Sequence, residues 1–307
     1  MPQTEKKVIC LGFFDGVHIG HRAILQKGAE FAAELGAKAY ALTFDRHPLS
    51  VITGRETPLI DSFERRVELL GRVEGIAGVR VLNFTQELAR MEWQDFLEDI
   101  IFKENDISGI AAGFDYSFGR GGLGNARNIS EACAQRGIGC AVVPAVTRDG
   151  KKVSSSLIRE LISEGNAEGA APLLGRPFGL SGTIEEGRHI ARTLGFPTLN
   201  MRMEQGIVSP KFGVYISKCS IDGGDLLPAI TNIGLRPTIT DGRAAVETHI
   251  LGGIDQSGYG CPCEIEILTR LRDERLFEGP EALRAQVGED IARAKAWFAN
   301  RKENTDG

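Results

Sequence analysis

One stretch near the N-terminus, residues 8–25, constrains the fold more than any other part of the chain. Its first four residues are apolar and predict a short buried strand, and periodic apolar residues at its end start a helix. Between them, Gly12, Gly16 and Gly20 predict a tight turn whose backbone can approach a ligand closely, because glycine has no Cβ. The first turn of a helix offers unpaired N–H groups and the positive end of its dipole. The stretch therefore predicts an anion-binding turn between a strand and a helix.

Two histidines stand in this turn. His18 and His21 are three residues apart, so on a helical turn they project from the same face. Two imidazoles beside an anion-binding turn suggest hydrogen bonds to a phosphate whose charge reorganises during transfer. Half of a metal site and a purely structural turn are the two other interpretations. Phosphate chemistry is favoured because no third histidine stands nearby and Gly20 argues for close backbone approach.

Length and charge exclude several classes of protein. The chain has 307 residues, which is enough for two domains of ordinary size. Its net charge of −5 gives no overall field that attracts nucleic acid or an acidic membrane surface, so local donors must hold an anionic substrate. The first seven residues lack the apolar core of a signal peptide, and no run approaches the length of a membrane span. We therefore expect a cytoplasmic protein with reduced cysteines and with neither nucleic-acid nor membrane partners.

The first half of the chain alternates strand patterns with helical ones. Strands are predicted at residues 38–44, 79–84, 107–113 and 139–143, with a helix near residues 129–136. Such alternation predicts a parallel sheet covered by helices on both faces, with ligands at the carboxyl ends of its strands.

A glycine run at residues 119–124 matches the dinucleotide fingerprint Gly-x-Gly-x-x-Gly. Its context argues against dinucleotide binding, because the run lies several residues beyond its strand and is not expected to lead straight into a helix. A mobile substrate loop is the expectation for this segment.

The pattern changes near residues 174–178, where helical alternation stops. Short extended segments follow at residues 178–185, 213–221, 226–231, 245–251 and 264–271. Closely spaced strands of this kind predict an antiparallel barrel. A last helix, predicted at residues 281–298, carries one apolar stripe that should pack on the barrel. We therefore predict two domains, residues 1–175 and residues 176–307.

The first half resembles a known family. Residues 12–21, Gly-Phe-Phe-Asp-Gly-Val-His-Ile-Gly-His, resemble the His-x-Gly-His signature of nucleotidyltransferases and, more narrowly, the bacterial bifunctional riboflavin kinase/FAD synthetases. Residues 113–119 are similar to that family's Gly-x-Asp-Phe-Arg-Phe-Gly loop, with Ser117 where arginine is usual and Gly122 where a basic residue is common. Residues 153–159 resemble its Ser-Ser-Thr-x-x-Arg segment.

This resemblance implies roles for named residues. His18 and His21 would be catalytic. The nucleotide-binding residues in this half would be Gly12, Phe14, Asp15, Gly16, Ser154, Ser155 and Arg159. The flavin-binding residues would be Asp115 and Phe118. A structural role for the two serines is the alternative, because serines at a helix start also satisfy backbone N–H groups.

The second half carries its own motif. Residues 195–200, Gly-Phe-Pro-Thr-Leu-Asn, resemble the Pro-Thr-Ala-Asn motif of riboflavin kinases. A hydroxyl and an amide oxygen two residues apart suit Mg²⁺, which makes Thr198 and Asn200 the expected metal ligands, with a structural turn as the alternative. Glu247 lies in an otherwise apolar strand, where a carboxylate is costly unless it is paired or used, and the resemblance implies that it is the catalytic base. The resemblance adds Gly182, Gly187, Pro197 and Thr198 for nucleotide binding and Arg272 and Arg275 for flavin binding.

The resemblance runs through nearly the whole chain and implies a fold and an activity. The expected fold is α/β plus β: a Rossmann-like nucleotidyltransferase domain followed by an antiparallel β-barrel riboflavin kinase domain with a terminal helix. The expected reactions are ATP-dependent phosphorylation of riboflavin to FMN and adenylylation of FMN to FAD, with Mg²⁺ as cofactor. A riboflavin kinase with weak or altered nucleotidyltransferase activity, and a flavin-binding regulator without turnover, are the alternatives. The oligomeric state stays open.

Overall fold

The computed structural model describes residues 5–103, 106–186, 195–235, 244–253 and 258–303. The chain divides into two compact units, Met1–Leu157 and Ile158–Gly307. The first unit is built on a parallel five-stranded sheet in the order β3-β2-β1-β4-β7. These strands are β1 Lys7–Leu11, β2 Lys38–Phe44, β3 Ile76–Leu82, β4 Ile107–Gly113 and β7 Gly139–Val143. Two short hairpins complete the unit, β5 Ser117–Phe118 with β6 Gly124–Asn125 and β8 Thr147–Arg148 with β9 Lys151–Lys152.

Helices cover the sheet, because its strands are apolar on both faces. They are α1 Ile19–Leu35, α2 Pro48–Thr53, α3 Phe63–Gly71, α4 Gln86–Arg90, α5 Trp93–Asp95 with a π-helical turn Phe96–Ile101, and α6 Ala126–Arg136. The longest, α1, packs across β1, β2, β4 and β7. A glycine at position 28 permits this close approach, since a Cβ there would overlap the Cys10 sulfur. The predicted Rossmann-like sheet is confirmed.

The glycine run at residues 119–124 differs from its expectation. Asn125 directly after it caps α6, and a reciprocal bond with Asn128 completes a capping box, so the helix starts three residues earlier than predicted. The expectation that the run does not lead straight into a helix was therefore wrong. Its glycines serve packing, because a Cβ at Gly119 or Gly124 would lie 2.6 Å from backbone or side-chain carbon of Trp93.

The second unit is a closed antiparallel barrel in the order β10-β11-β14-β13-β12-β15. Its strands are β10 Phe178–Glu185, β11 Leu199–Arg202, β12 Gly213–Ile221, β13 Leu227–Leu235, β14 Ala244–Ile250 and β15 Pro262–Arg272. Two helices precede it, α7 Ser155–Ser163, which spans the division of the units, and α8 Ala167–Leu174. The predicted barrel is confirmed, although β11 was not predicted as a strand because it is only four residues long.

The terminal helix α9, Pro280–Glu303, packs on the outside of the barrel. Its fully buried Ala294 meets Ile216 and Ile230, which lie opposite each other on β12 and β13. Ile291 and Trp297 of the predicted apolar stripe join the same cluster. The shorter helix α8 packs on β10 and β15. Within the described ranges, no helix is both long enough and apolar enough to cross a membrane.

Candidate active sites

A cavity of about 370 Å³ opens at the carboxyl ends of β1, β4 and β7. Strand order reverses between β1 and β4, and this switch point is where open α/β sheets bind ligands. The residues that line the cavity come from five segments of the first unit: 11–24, 44–48, 113–117, 143–146 and 152–156. Three of these segments contain residues that the sequence singled out.

The turn after β1 is held in a strained conformation. Phe14 and Val17 have positive φ angles of 59° and 39°, and Gly16 has 81°. Positive φ is costly for a bulky or β-branched residue, about 1–3 kcal/mol each. Surrounding groups hold the turn: Phe14 and Val17 are buried, and the buried Asp15 carboxylate accepts a 2.8 Å bond from the Ile60 N–H. Strain of this kind is concentrated at functional sites.

The glycines of the turn make room for aromatic rings of the protein itself. A Cβ at Gly12 would lie 2.6 Å from the Phe14 ring, and a Cβ at Gly20 would lie 3.1 Å from the His18 ring. At Gly16 it would lie 2.7 Å from Ile60. The sequence had suggested close approach of a ligand at these glycines, and in the structure side chains take that space. Gly12 and Phe14 line the cavity, whereas Asp15 and Gly16 are not among its lining residues.

The two histidines meet as predicted. His18 precedes α1 and caps it, because its Nδ1 accepts a 3.2 Å bond from the His21 N–H. The two rings stack with centroids 3.5 Å apart and planes 16° from parallel. Both rings line the cavity. The Nδ1 of His21 is buried and has no hydrogen-bond partner among the described residues.

Burial favours the neutral form of both imidazoles. Burial lowers the pKa of His18 to about 4 and lowers the pKa of His21 well below its ordinary value, with the neighbouring His18 and Arg66 adding to the effect on His21. Because Nδ1 of the neutral His18 accepts a bond, its proton resides on Nε2. His18 therefore presents a neutral N–H donor. Such a donor can stabilise a phosphate whose charge develops during transfer.

A lysine that the sequence analysis did not single out supplies positive charge to the cavity. Lys152 forms an ion pair with Asp115, and its Nζ lies 4.9 Å from the centre of the Phe114 ring. The cavity lining includes all three of these side chains and Ser117, the residue that stands in place of the family's arginine. A signal was present, since Lys152 immediately precedes the serine segment, but one basic residue in a surface hairpin has no periodicity to distinguish it.

The serines of residues 153–159 make hydrogen bonds within the protein and also line the cavity. Ser154 Oγ accepts a 3.3 Å bond from the Leu157 N–H at the start of α7, and Ser155 Oγ donates a 2.9 Å bond to the Asp15 carbonyl. Both serines line the cavity. Arg159 follows Ser155 by one turn of α7 and is not among the lining residues. Phe118 is also absent from the lining. It is buried among Phe96, Tyr116 and Trp93 in the core, and this packing accounts for an aromatic residue at position 118 without a flavin contact.

A second set of polar residues lies in one row across three barrel strands. Glu247 on β14 pairs in register with Asn200 on β11 and with Asn232 on β13. Directly paired residues of neighbouring strands have side chains on the same face. Thr248, the next residue of β14, is buried and bonds to the Thr231 hydroxyl at 2.9 Å. Since side chains alternate along a strand, Glu247 and both asparagines face outward from the barrel.

Two contacts tie loop segments to this row. His249, two residues after Glu247 on the same face, has Nδ1 2.8 Å from the Pro197 carbonyl, which places Thr198 beside β14. Asn232 donates from Nδ2 to Glu274 across 3.5 Å. His249, Asn232 and Glu274 received no role from sequence alone, because only strand pairing brings them together.

The other residues of this half for which the sequence predicted flavin or nucleotide binding do not belong to the row around Glu247. Arg272 forms an ion pair with Asp290 of α9, and Arg275 lies over the Phe277 ring at 5.2 Å. Gly182 belongs to the face of β10 that packs on Met201, since a Cβ there would lie 2.7 Å from that side chain. Gly187 lies outside the described residues.

The two units together define the class of protein. A doubly wound α/β unit has a cavity with paired histidines at its switch point, and a closed barrel has a carboxylate between two amide side chains on its outer face. Comparison with known proteins makes the assignment specific. Residues 1–157 match the FAD synthetase family, and residues 174–298 match the riboflavin kinase family. The chain belongs to the family of bifunctional riboflavin kinase/FMN adenylyltransferases.

Individual relatives are similar to this chain over nearly their full length. A bifunctional riboflavin kinase/FMN adenylyltransferase of Listeria monocytogenes is 34% identical, with 95% of this chain and 93% of the relative covered. The protein of the same description from Bacillus subtilis is 31% identical, with 97% and 94% covered. A solved structure from Streptococcus pneumoniae, described as a macrolide-efflux protein, is 27% identical with a TM-score of 0.85, over 97% of this chain and 96% of that one.

Proposed function

We propose that this chain makes FAD from riboflavin in two steps, one in each unit. The observation that carries the proposal is the presence of two separate sites: the stacked histidine pair at the switch point of the sheet, and the row of Asn200, Glu247 and Asn232 on the barrel. Family membership supports both steps. We also place the enzyme in the cytoplasm, where its six cysteines would stay reduced.

The barrel would transfer the γ-phosphoryl group of ATP to the ribityl 5′-hydroxyl of riboflavin. As the hydroxyl oxygen bonds to the γ-phosphorus, the Glu247 carboxylate takes its proton, and the bond from the γ-phosphorus to the bridging oxygen breaks to release ADP. Transfers of this kind depend mostly on positioning and charge stabilisation. Asn232 and Asn200 on either side of Glu247 would orient its carboxylate and the phosphates.

Mg²⁺ fits the residues at this site. Thr198 and Asn200 offer neutral oxygen atoms next to the Glu247 carboxylate, and Mg²⁺ prefers oxygen ligands while retaining several waters. Among the described residues, no group of three or more His, Cys, Asp or Glu side chains forms a competing metal site. Held by Thr198 and Asn200, the ion would neutralise charge on the ATP phosphates.

The α/β unit would join FMN to a second ATP. An oxygen of the FMN phosphate would attack the α-phosphorus, and the bond to the bridging oxygen between α- and β-phosphorus would break, releasing pyrophosphate. The neutral N–H groups of His18 and His21 would donate to the transferring group. The start of α7, with Ser154 and Ser155, would hold the leaving phosphates, because a helix N-terminus favours an anion.

The two alternatives are separated by one experiment. Ser117 motivates a kinase with weak adenylylation, and Lys152 in the same cavity provides a cation where the family's arginine is missing. A flavin-binding regulator would turn nothing over. Purified protein is incubated with riboflavin and Mg-ATP, and the products are separated by chromatography. FAD supports the proposal, FMN alone supports the first alternative, and unchanged riboflavin supports the second.

Replacing Lys152 with methionine should weaken FAD formation and leave FMN formation unchanged. A hydrogen bond to a charged group is worth about 1.5–3 kcal/mol, so the KM for FMN or for ATP should rise by about tenfold or more. Lys151→Met is the matched control, because adjacent residues of a strand point to opposite faces. Identical saturation curves for Lys152→Met and the parent would show that Lys152 only pairs with Asp115.

A fragment of residues 158–307 should fold alone and make FMN but never FAD. The predicted domain boundary at residues 175/176 would remove α8, whose Leu173 and Leu174 are buried. Each buried leucine contributes about 1.5–3 kcal/mol, so a fragment of residues 176–307 should unfold at a lower temperature. Thermal unfolding followed by circular dichroism compares the two fragments. Equal melting temperatures would argue against α8 as part of the barrel unit, and a folded but inactive longer fragment would show that the first unit completes the kinase site.

A further inference from the structure

The terminal helix contributes a buried carboxylate to the barrel. Asp290 on α9 is 1% exposed, although a carboxylate removed from water is costly unless charged or polar groups compensate it. Its compensation is extensive. Arg272 Nε donates to both carboxylate oxygens, at 2.9 and 3.2 Å, and Arg272 Nη2 lies 2.8 Å from Oδ2. Gln286, one helical turn earlier, donates to Oδ1 at 3.0 Å.

Arg272 uses its remaining nitrogen on its own chain. Nη1 donates a 3.0 Å bond to the Asp273 carbonyl, immediately after β15 ends. All three guanidinium nitrogens are thus engaged within the protein. The geometry is that of a brace between α9 and the segment that leaves β15, and it accounts for Arg272 without a flavin contact. Arginine suits this task because its planar fork matches a carboxylate bidentately.

The segment held by this brace reaches the proposed kinase site. Glu274, two residues after Arg272, accepts from Asn232 across 3.5 Å, and Asn232 pairs in register with Glu247. The carboxylate of Glu274 also lies directly over Gly234, where any Cβ would overlap it. The chain of contacts therefore runs from Asp290 through Arg272 and Glu274 to the asparagine beside the proposed base.

We infer that Asp290, Gln286 and Arg272 are positioning residues for phosphoryl transfer, which act by fixing residues 273–277 and, through Glu274, the Asn232–Glu247 pair. The inference rests on the proposed kinase function of the barrel. It assigns α9 a part in the reaction beyond covering the barrel core. It also replaces the expected flavin contact of Arg272 with a role at the phosphate-transfer end of the site.

The test uses the full-length chain with Asp290→Asn, which keeps the shape of the side chain and removes its charge. We expect kcat for FMN formation to fall by about tenfold or more, while the dissociation constant of riboflavin, measured by quenching of its fluorescence, stays within about twofold. Glu289→Gln, the neighbouring exposed carboxylate of the same helix, is the matched control and should behave like the parent. Conversion of added FMN to FAD should be equal in all variants.

Two further variants separate positioning from simple stability. Gln286→Leu removes one hydrogen bond to Asp290 and should give a smaller loss of kcat. This variant tests the positioning role if Asp290→Asn does not fold. Glu274→Gln combined with Asp290→Asn should lose no more than the larger single variant, since both act through one chain of contacts. An unchanged kcat with a lowered melting temperature would overturn the inference, as would a weakened riboflavin affinity with unchanged kcat. A parent protein that makes no FMN would instead refute the proposed function, and the inference with it.

Discussion

Replacing His18 and His21 together with alanine should abolish conversion of FMN to FAD and leave phosphorylation of riboflavin intact. The two stacked rings lie on one wall of the cavity, where His18 is buried and His21 is half-buried, and a strained turn places them there. Losing a single preorganised donor to developing charge costs on the order of 10²–10³ in rate, so the double variant should fall by more than either single one. Both conversions are measured by chromatography on the same preparation.

Each half of the chain controls for the other in this experiment. Normal FMN formation shows that the histidine variants contain a folded barrel, and the far-ultraviolet circular dichroism spectrum reports on the α/β unit. The single variants add a further expectation. His18→Ala also removes the cap of α1, so it should lower the melting temperature more than His21→Ala. If the double variant forms FAD at a rate within a few-fold of the parent, the catalytic role proposed for these histidines is wrong.

Replacing Glu247 with glutamine should have the converse effect. The substitution keeps the size and polarity of the side chain beside Asn200 and Asn232, but it removes the group that would accept the hydroxyl proton. General bases contribute about 10²–10⁴ in rate, so FMN formation should fall by that factor. Adenylylation of added FMN should proceed at the parental rate, because His18, His21 and the rest of that cavity are unchanged.

Glu266→Gln provides the matched control for Glu247. Glu266 is also a partly buried glutamate on the outward face of the barrel, but it lies on β15, away from the row of Asn200, Glu247 and Asn232. We expect its FMN formation to equal that of the parent. If Glu247→Gln keeps FMN formation within a few-fold of the parent, its carboxylate has a structural role and the proton has another acceptor.

Local sequence patterns were sufficient for the elements that position the first site. The predicted bounds of β2, β4 and β7 agree with the structure, because each is an apolar run ended by glycine or polar residues. The histidine pair was found for the same reason, since its spacing and flanking glycines lie within one turn of chain. The start of α6 directly after residues 119–124 was not predicted, and the packing of the glycines in this run on Trp93 could not be, because Trp93 lies elsewhere in the sequence.

Contacts between distant segments supplied the rest of both sites. Lys152 reaches the cavity only because the β8–β9 hairpin returns to the ends of β4 and β7. Asn232 stands beside Glu247 because β13 and β14 pair in one register, and a slip of one residue would turn either side chain toward the barrel interior. The neutral state of His18, with its pKa lowered to about 4, likewise arises from burial that no motif encodes.

By itself, the sequence determined most of the segments that form strands and helices, the change from alternating helices and strands to closely spaced strands, and the short motifs in which phosphate chemistry is expected. These properties depend on neighbouring residues, whose periodicity and turn chemistry can be read along the chain. Tertiary structure decided which side chains contact one another. Its contributions are the stacking of His18 on His21, the row of residues around Glu247, and the ion pair of Arg272 with Asp290. Strand register, burial and ion pairing join residues far apart in sequence, and they arise only when the strands pair into the sheet and the barrel.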